Sequence, residues 1–595
     1  MKAVTKKFLA MICVASLMLI DLKAGNASWY IYIITDNMVG IAVSLIMFSV
    51  YSIKEYIKPF YIGWSVFGFL GVIGGMAFWY THQVGHVMGW WYTVPFNVWI
   101  LGIHFFKYIE KIFITKELKI KFTKWEYVFI VCMVLMLISE SEFIWPFYFL
   151  VIFIMLWHLP LSLNDKKEIF SGVLNGIVLG FVLLQGYGFI NRHYVKIRYT
   201  GAYWNSNRNG ALYLFAFTAF LAKLIIVEHK RKLSIDTGGG LPKDIKKFRF
   251  LSAFYLLLSA IMAGFIMYTG SRNSLIGMAV IFVIFVFAGE RKIVRMKWMT
   301  IIKQMVAFGM IWVISIPLLY FPICYLPIMS SLAVSELKSL KNGNGLFPIR
   351  TLSNDYCIQY DEALDNMVLR YLRSDVNDTL TSENAFIESE EMIDEEHIDV
   401  LDETIETSVE GDYPYSFDIK KYDTKDDCYV VEYYFRDYPE RGMGVLYVPK
   451  CFYNGIVSWN IRMDLFATLI SNMNLTGHDS SELFFVIRSS SPSEEETWAG
   501  NEQNFIIHYL FSFGVPVGLL FCILIFGELF YLLYLTFKGK IEAFVFAMLV
   551  LVFILIGLME IDWIPGQVLF VMLFFGPLFF DGDYFELLSK REAGK

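Results

Sequence analysis

ALYLFAFTAFLAKLIIVEHKRK, residues 211–232, decides the fold: an apolar run long enough to cross about 30 Å of hydrocarbon that ends in a knot of basic residues. Comparable runs, each bounded by polar or charged residues, begin near Phe8, Met38, Pro59, Trp90, Tyr127, Phe143, Ile169, Leu251, Leu275, Gln304, Phe505, Glu542 and Gly566. Together they predict an all-α polytopic membrane protein of about fourteen transmembrane helices. Composition agrees, since 56% of the 595 residues are hydrophobic and the mean hydropathy is +0.52. A soluble chain of this size does not carry that much apolar surface.

The basic loops set the orientation, because Lys and Arg in short loops stay on the cytoplasmic side. Lys107, Lys111, Lys116, Lys119, Lys121 and Lys124 form one such loop, Lys230 to Arg249 a second, and Arg291 to Lys297 a third. With the amino terminus inside, all of them fall in the cytoplasm together with Lys538, Lys540 and the carboxyl-terminal tail. The run from Phe8 to Ile20 follows Lys2, Lys6 and Lys7 as a signal peptide would, yet Asp21 and Lys23 follow it without a small-residue cleavage site. It reads as a retained first helix. Glu528 and Glu542 are expected near the cytoplasmic interface, reaching towards headgroups.

Three units follow from this pattern. Residues 1–326 carry membrane helices 1–11, 327–504 form an acidic extracytoplasmic loop domain, and 505–595 carry helices 12–14 and a cytoplasmic tail. Within the loop, Asp375 to Asp412 is crowded with acids and reads as a solvated, loosely ordered stretch. The alternation in CYVVEYYFRDY and GVLYVPKCFYNGIV, between Tyr413 and Asn460, predicts short strands and a small mixed or β subdomain.

Several chemistries are excluded. The seven cysteines show no zinc or redox spacing. His82 and His86 lack the Glu of a metalloprotease helix, and Gly238 to Gly240 lack the Lys that follows a phosphate loop. No metal, cofactor or nucleic-acid partner is expected.

The outward loops instead break the charge rule in one direction. NRHYVKIRYTGAYWNSNRNG, residues 191–210, places Arg192, Arg198 and Arg208 beside Tyr203, Trp204 and Asn207. YTGSRNS brings Arg272 to a helix mouth, and NIRMDLFATLISNMNLTGHD brings Arg462. A lone interfacial arginine usually snorkels to lipid headgroups, whereas a set on one face suits a diphosphate, which guanidinium grips with paired hydrogen bonds. Aromatic and amide neighbours suit a sugar.

In that order, and with NEQNFIIHYLFSFGVPVG closing the long loop, these segments resemble the bacterial O-antigen ligase and polymerase superfamily. The resemblance spans roughly Arg192 to Gly518. It implies a GT-C-like membrane glycosyltransferase of the bacterial inner membrane that uses polyprenyl-diphosphate-linked oligosaccharides. Membrane lipid and the chain-length or flippase proteins of the same pathway are the further partners it implies. Carried over, it makes Arg272 and Arg198 candidates for holding the donor diphosphate and Arg462 a candidate for ordering the loop against the mouth. Gly477 matches the family's small-residue turn. Asn504 and Gly514 keep the family's spacing at the next helix, but Gln503 stands where the ligases carry His. An amide has no useful basicity, so the neighbouring Glu502 becomes the candidate catalytic base, with Gln503 and Asn504 as candidate substrate contacts. This departure favours a polysaccharide polymerase, with ligase-type transfer to another acceptor or a lipid-linked-glycan flippase as alternatives.

Overall fold

The structure, a computed structural model, describes residues 3–18, parts of 44–82 and 90–159, 162–191, parts of 199–202, 206–236, 242–338, position 364, four strands between 405 and 449, parts of 466–478, and 504–558. In chain order the helices are α1 (Ala3–Met18), α2 (Pro59–His82), α3 (Trp90–Ile109), α4 (Lys124–Ile138) and α5 (Trp145–Trp157). They continue as α6 (Leu163–Asn191), α7 (Ser206–Asp236), α8 (Pro242–Thr269), α9 (Arg272–Ile284) and α10 (Trp298–Lys338). The last three are α11 (Phe505–Phe513), α12 (Val515–Phe537) and α13 (Ile541–Gly557). Two π-helical segments, Glu110–Ile114 and Phe285–Ile293, extend α3 and α9.

Among the described residues, seven helices are long and apolar enough to cross a membrane: α2, α6, α7, α8, α9 with its π extension, α10 and α12. Hydroxyls inside them are satisfied by their own backbones, as Thr218 to Leu214 O, Ser259 to Tyr255 O and Thr536 to Leu532 O illustrate. Hydrocarbon offers such groups no other partner. The expected span at Gly566 lies outside the described residues, and the one at Met38 lies mostly outside them.

The single span expected from Phe505 is two helices. α11 has nine residues, a rise of about 14 Å, which is under half the hydrocarbon thickness. Gly514, at φ +82°, breaks the chain, and Pro516 starts α12 in its first turn. α11 then runs back along α12, with the Tyr509 and Phe521 rings 4.3 Å apart and those of Phe505 and Phe526 6.4 Å apart. Glu528 also departs from expectation, for it is buried in the bundle at 6% exposure instead of reaching to a surface. The packing of α12 against its neighbours turns that face inward.

Packing depends on close helix approach. Gly172, Gly176 and Gly180 line one stripe of α6, where added Cβ atoms would meet Lys7 O and Ala10, then Val14 and Met11 O, then Met18. α1 therefore lies flat in a small-residue groove, the geometry that lets membrane helices pack by dispersion. α1 is thus built into the bundle, with Ala10, Cys13, Val14 and Ala15 buried. Gly68 and Gly102 admit Trp99 and Trp64 between α2 and α3, and Trp64 Nε1 donates to Trp99 O at 2.9 Å. Of the seven long helices α7 is the most deeply buried, while α2 and α10 are the least.

Strands β1 (Ile405–Val409), β2 (Phe417–Asp423), β3 (Cys428–Phe435) and β4 (Met443–Pro449) form an antiparallel meander in sequence order. Register pairs Ile405 with Lys421, Phe417 with Phe435 and Cys428 with Pro449. β3 and β4 fall on the alternating segments. β1 falls inside the acid-rich stretch expected to be loose, a correction: IETSV alternates and finds a partner in β2, and pairing supplies the backbone hydrogen bonds that composition does not reveal.

Candidate functional site

α9 begins with a capped turn. Ser271 is the N-cap, its side chain accepts from Ser274 N at 3.4 Å, and the two hydroxyls lie 3.0 Å apart. Arg272 is the first helical residue and is half-buried. The start of α7 lies directly against this turn, because a Cβ on Gly210 would strike the side chains of Ser271 and Ser274. Asn207 and Arg208, both half-buried, occupy that first turn of α7. Neither α7 nor α9 has an acidic residue in its first turn. Two helix N-termini, each equivalent to about half a positive charge, thus meet with an arginine on each first turn.

A buried polar network holds this junction. Tyr213 Oη donates to Gln185 Oε1 at 2.7 Å, Asn209 Nδ2 donates to Tyr213 Oη at 3.2 Å, and Gln185 Nε2 donates to Tyr199 Oη at 3.4 Å. Tyr199, next in sequence to Arg198, donates its backbone N–H to Tyr268 O at 2.9 Å. Gly201, at φ +52°, lies against the Asn209 amide, and Gly188 lies against Ala202 and Tyr199. The end of α6, the start of α7 and the end of α8 are so tied to one connecting segment. Asn209 Oδ1 is fully buried and accepts no hydrogen bond among the described residues.

A second lock joins the end of the long insertion to the α11–α12 turn. His478 N donates to Ser512 O at 3.3 Å, Val515 N donates to Asn474 O at 2.9 Å, and the His478 ring stacks on Phe511 with centroids 4.2 Å apart. Gly477, at φ +94°, and Gly514, at φ +82°, face each other so closely that a Cβ on either would strike the other segment's backbone.

The α7–α9 junction and the start of α11 lie at similar height. Gly289 contacts both Ile225 and Phe544. From that common contact, at about 1.5 Å per residue, α7 reaches Gly210, α9 reaches Arg272 and α13 reaches Leu558 after climbs of roughly 21 to 26 Å. Asn504 meets the end of α13 there, its Nδ2 donating to Leu558 O at 3.0 Å while its Oδ1 accepts from Ile506 N and Ile507 N. Asn504, expected as a substrate contact, is engaged as the α11 cap and as a tie to α13.

Of the sequence candidates, Arg208, Asn207 and Arg272 are brought together. Arg198, Arg192, Tyr203, Trp204, Arg462, Glu502 and Gln503 lie outside the residues whose side chains are described. Sequence reasoning missed Gln185, Tyr213, Asn209 and the Ser271–Ser274 pair. A glutamine within the apolar GFVLLQGYGF was the available signal.

A different charged assembly closes the C-terminal end of α3. Lys107, 1% exposed, pairs with Glu110 at 2.9 Å and Glu55 at 3.2 Å, while Lys111 pairs with Glu117 at 2.7 Å and Glu55 at 2.9 Å. Lys58 and Tyr61 also donate to Glu110.

No protein family, no curated protein and no solved structure matches this chain. The fold by itself defines a predominantly helical protein with apolar helices suited to a membrane, in which, among the described residues, the α7 and α9 N-termini meet in a junction suited to an anion.

Proposed function

We propose that this chain is a polysaccharide polymerase of the O-antigen ligase and polymerase type. It transfers a glycan from a polyprenyl-diphosphate donor to a lipid-linked glycan acceptor at the outer face of a bacterial inner membrane. In this reading the chain crosses the membrane about fourteen times with both termini cytoplasmic, and the insertion 327–504 with its sheet is extracytoplasmic. The observation that carries the proposal is the contact of the α7 and α9 N-termini at Gly210, with Arg208 and Arg272 on those first turns and no acidic residue in either first turn.

The chemistry asks little more. The acceptor hydroxyl oxygen bonds to the anomeric carbon, the bond from that carbon to the diphosphate breaks, and the electron pair leaves with the diphosphate. Arg272, Arg208, Arg198 and the two helix dipoles stabilise that charge, and the Glu502 carboxylate takes the hydroxyl proton. Arg192, Arg462, Tyr203, Trp204, Asn207 and Gln503 hold the glycan and its diphosphate. The lipid tail lies between helices, so no nucleotide or metal is called for.

Purified protein in proteoliposomes, supplied with lipid-linked repeat units, tests this. Arg272→Ala is expected to lower polymer formation by about 100-fold or more, and Arg272→Lys to recover part of it. Normal polymer from Arg272→Ala overturns the proposal, and movement of intact lipid-linked glycan without chain growth replaces it with a flippase.

A further inference from the structure

Lys223 lies inside the spanning length of α7, thirteen residues or about 20 Å along the helix from Gly210. An ammonium group at such depth is costly and usually marks a site. Its partners are neutral: Nζ donates to Asn175 Oδ1 of α6 and sits 5.7 Å from the centre of the Tyr255 ring of α8. Lys7 of α1 lies nearby, its carbonyl packing against Gly172, one helical turn from Asn175 on α6. The neighbouring Lys6 is already taken by Asp165 at 2.7 Å. Among the described residues no carboxylate pairs with Lys7 or Lys223, and both side chains remain partly exposed. Four helices thus bring one half-buried residue each to a basic patch that no carboxylate enters among the described residues, towards the membrane face opposite Arg272.

We propose that Lys7 and Lys223, with Asn175 and Tyr255, bind the phosphate group of an anionic membrane lipid. A phosphodiester between two ammonium groups relieves their repulsion and supplies acceptor oxygens. Basic recesses between membrane helices are suited to such headgroups. The lipid, and not free phosphate, is the occupant because the patch lies within the apolar length of the helices, where a ligand must bring its own hydrocarbon. The site is independent of the glycan chemistry at Arg272.

The full chain in neutral detergent is melted with added phosphatidylglycerol, with phosphatidylcholine, and with inorganic phosphate. Phosphatidylglycerol is expected to raise the melting temperature by about 2 °C or more, the other two to leave it unchanged. Lys223→Met and, separately, Lys7→Gln abolish the rise. Lys223→Arg keeps it, and so does Lys246→Met at an exposed position of α8. The lipid site is overturned if both charge-removing variants keep the full rise, if the wild-type chain shows none, or if inorganic phosphate reproduces it. If Lys223→Met does not fold, the Lys7→Gln result decides.

Discussion

Gly514 and Gly539 both adopt left-handed backbone, at φ +82° and +85°, yet their surroundings differ. A Cβ on Gly539 meets nothing within 4 Å, whereas one on Gly514 runs into the backbone of Leu475 and Gly477. Alanine at Gly539 should therefore cost only the left-handed strain of roughly 1–2 kcal/mol. At Gly514 it should also pry the insertion's end from the α11–α12 turn, giving a larger fall in melting temperature and a loss of monodisperse protein. Equal losses in the two variants would count against the lock. Glu110 provides a pH test. Burial acts to raise its carboxyl, but hydrogen bonds from Lys58, Tyr61 and Lys107 overcome this and hold it at about 2, below the ordinary 4.5. A depressed carboxylate stabilises the fold above its unfolded value and loses that contribution as pH falls through the folded one. Melting temperature should drop between about pH 4.5 and 2 in the wild type, and by less in Glu110→Gln; parallel curves would refute it. At this scale the sequence was legible in part. Arg272 and Arg208 were visible as basic residues out of place, but the phenol and amide network that ties the ends of α6, α7 and α8 together was not, since Tyr199 and Tyr213 look like ordinary membrane aromatics until three helices bring them together.

Among the elements, the pairing of α1 with α6 depends on a stripe one residue wide. Gly176 faces Met11 and Val14, while Gly186, farther along the same helix, meets nothing within 4 Å. Gly176→Leu is expected to displace α1 and lower the melting temperature by several degrees, with Gly186→Leu near neutral. A cysteine pair placed across α1 and α6 would report the displacement as lost cross-linking; cross-linking unchanged in Gly176→Leu would refute the groove. Apolar length sufficed to anticipate most of these helices. It failed at Phe505 because hydropathy is blind to a break made by one positive-φ glycine, and it missed β1 because strand pairing is decided by a partner distant in sequence.

For the whole molecule, sidedness is the decisive property of the proposed enzyme. In a cysteine-less background, a cysteine at Ser408 should react with a membrane-impermeant maleimide added to spheroplasts, and one at Lys246 only after the membrane is opened. Labelling of Lys246 from outside, or of Ser408 only from inside, would reverse the orientation and remove the glycan chemistry from the outer face. The chain by itself determined that it belongs in a bilayer and where its helices run, because long apolar segments have one low-energy environment irrespective of their neighbours. Tertiary structure alone decided that the first turns of α7 and α9 meet at Gly210, that Gly477 locks on Gly514, and that Lys223 reaches Asn175 across the α6–α7 contact. Each of these is a contact between segments far apart in the chain, and close approach of backbones is a property of packing, which no local pattern of residues encodes.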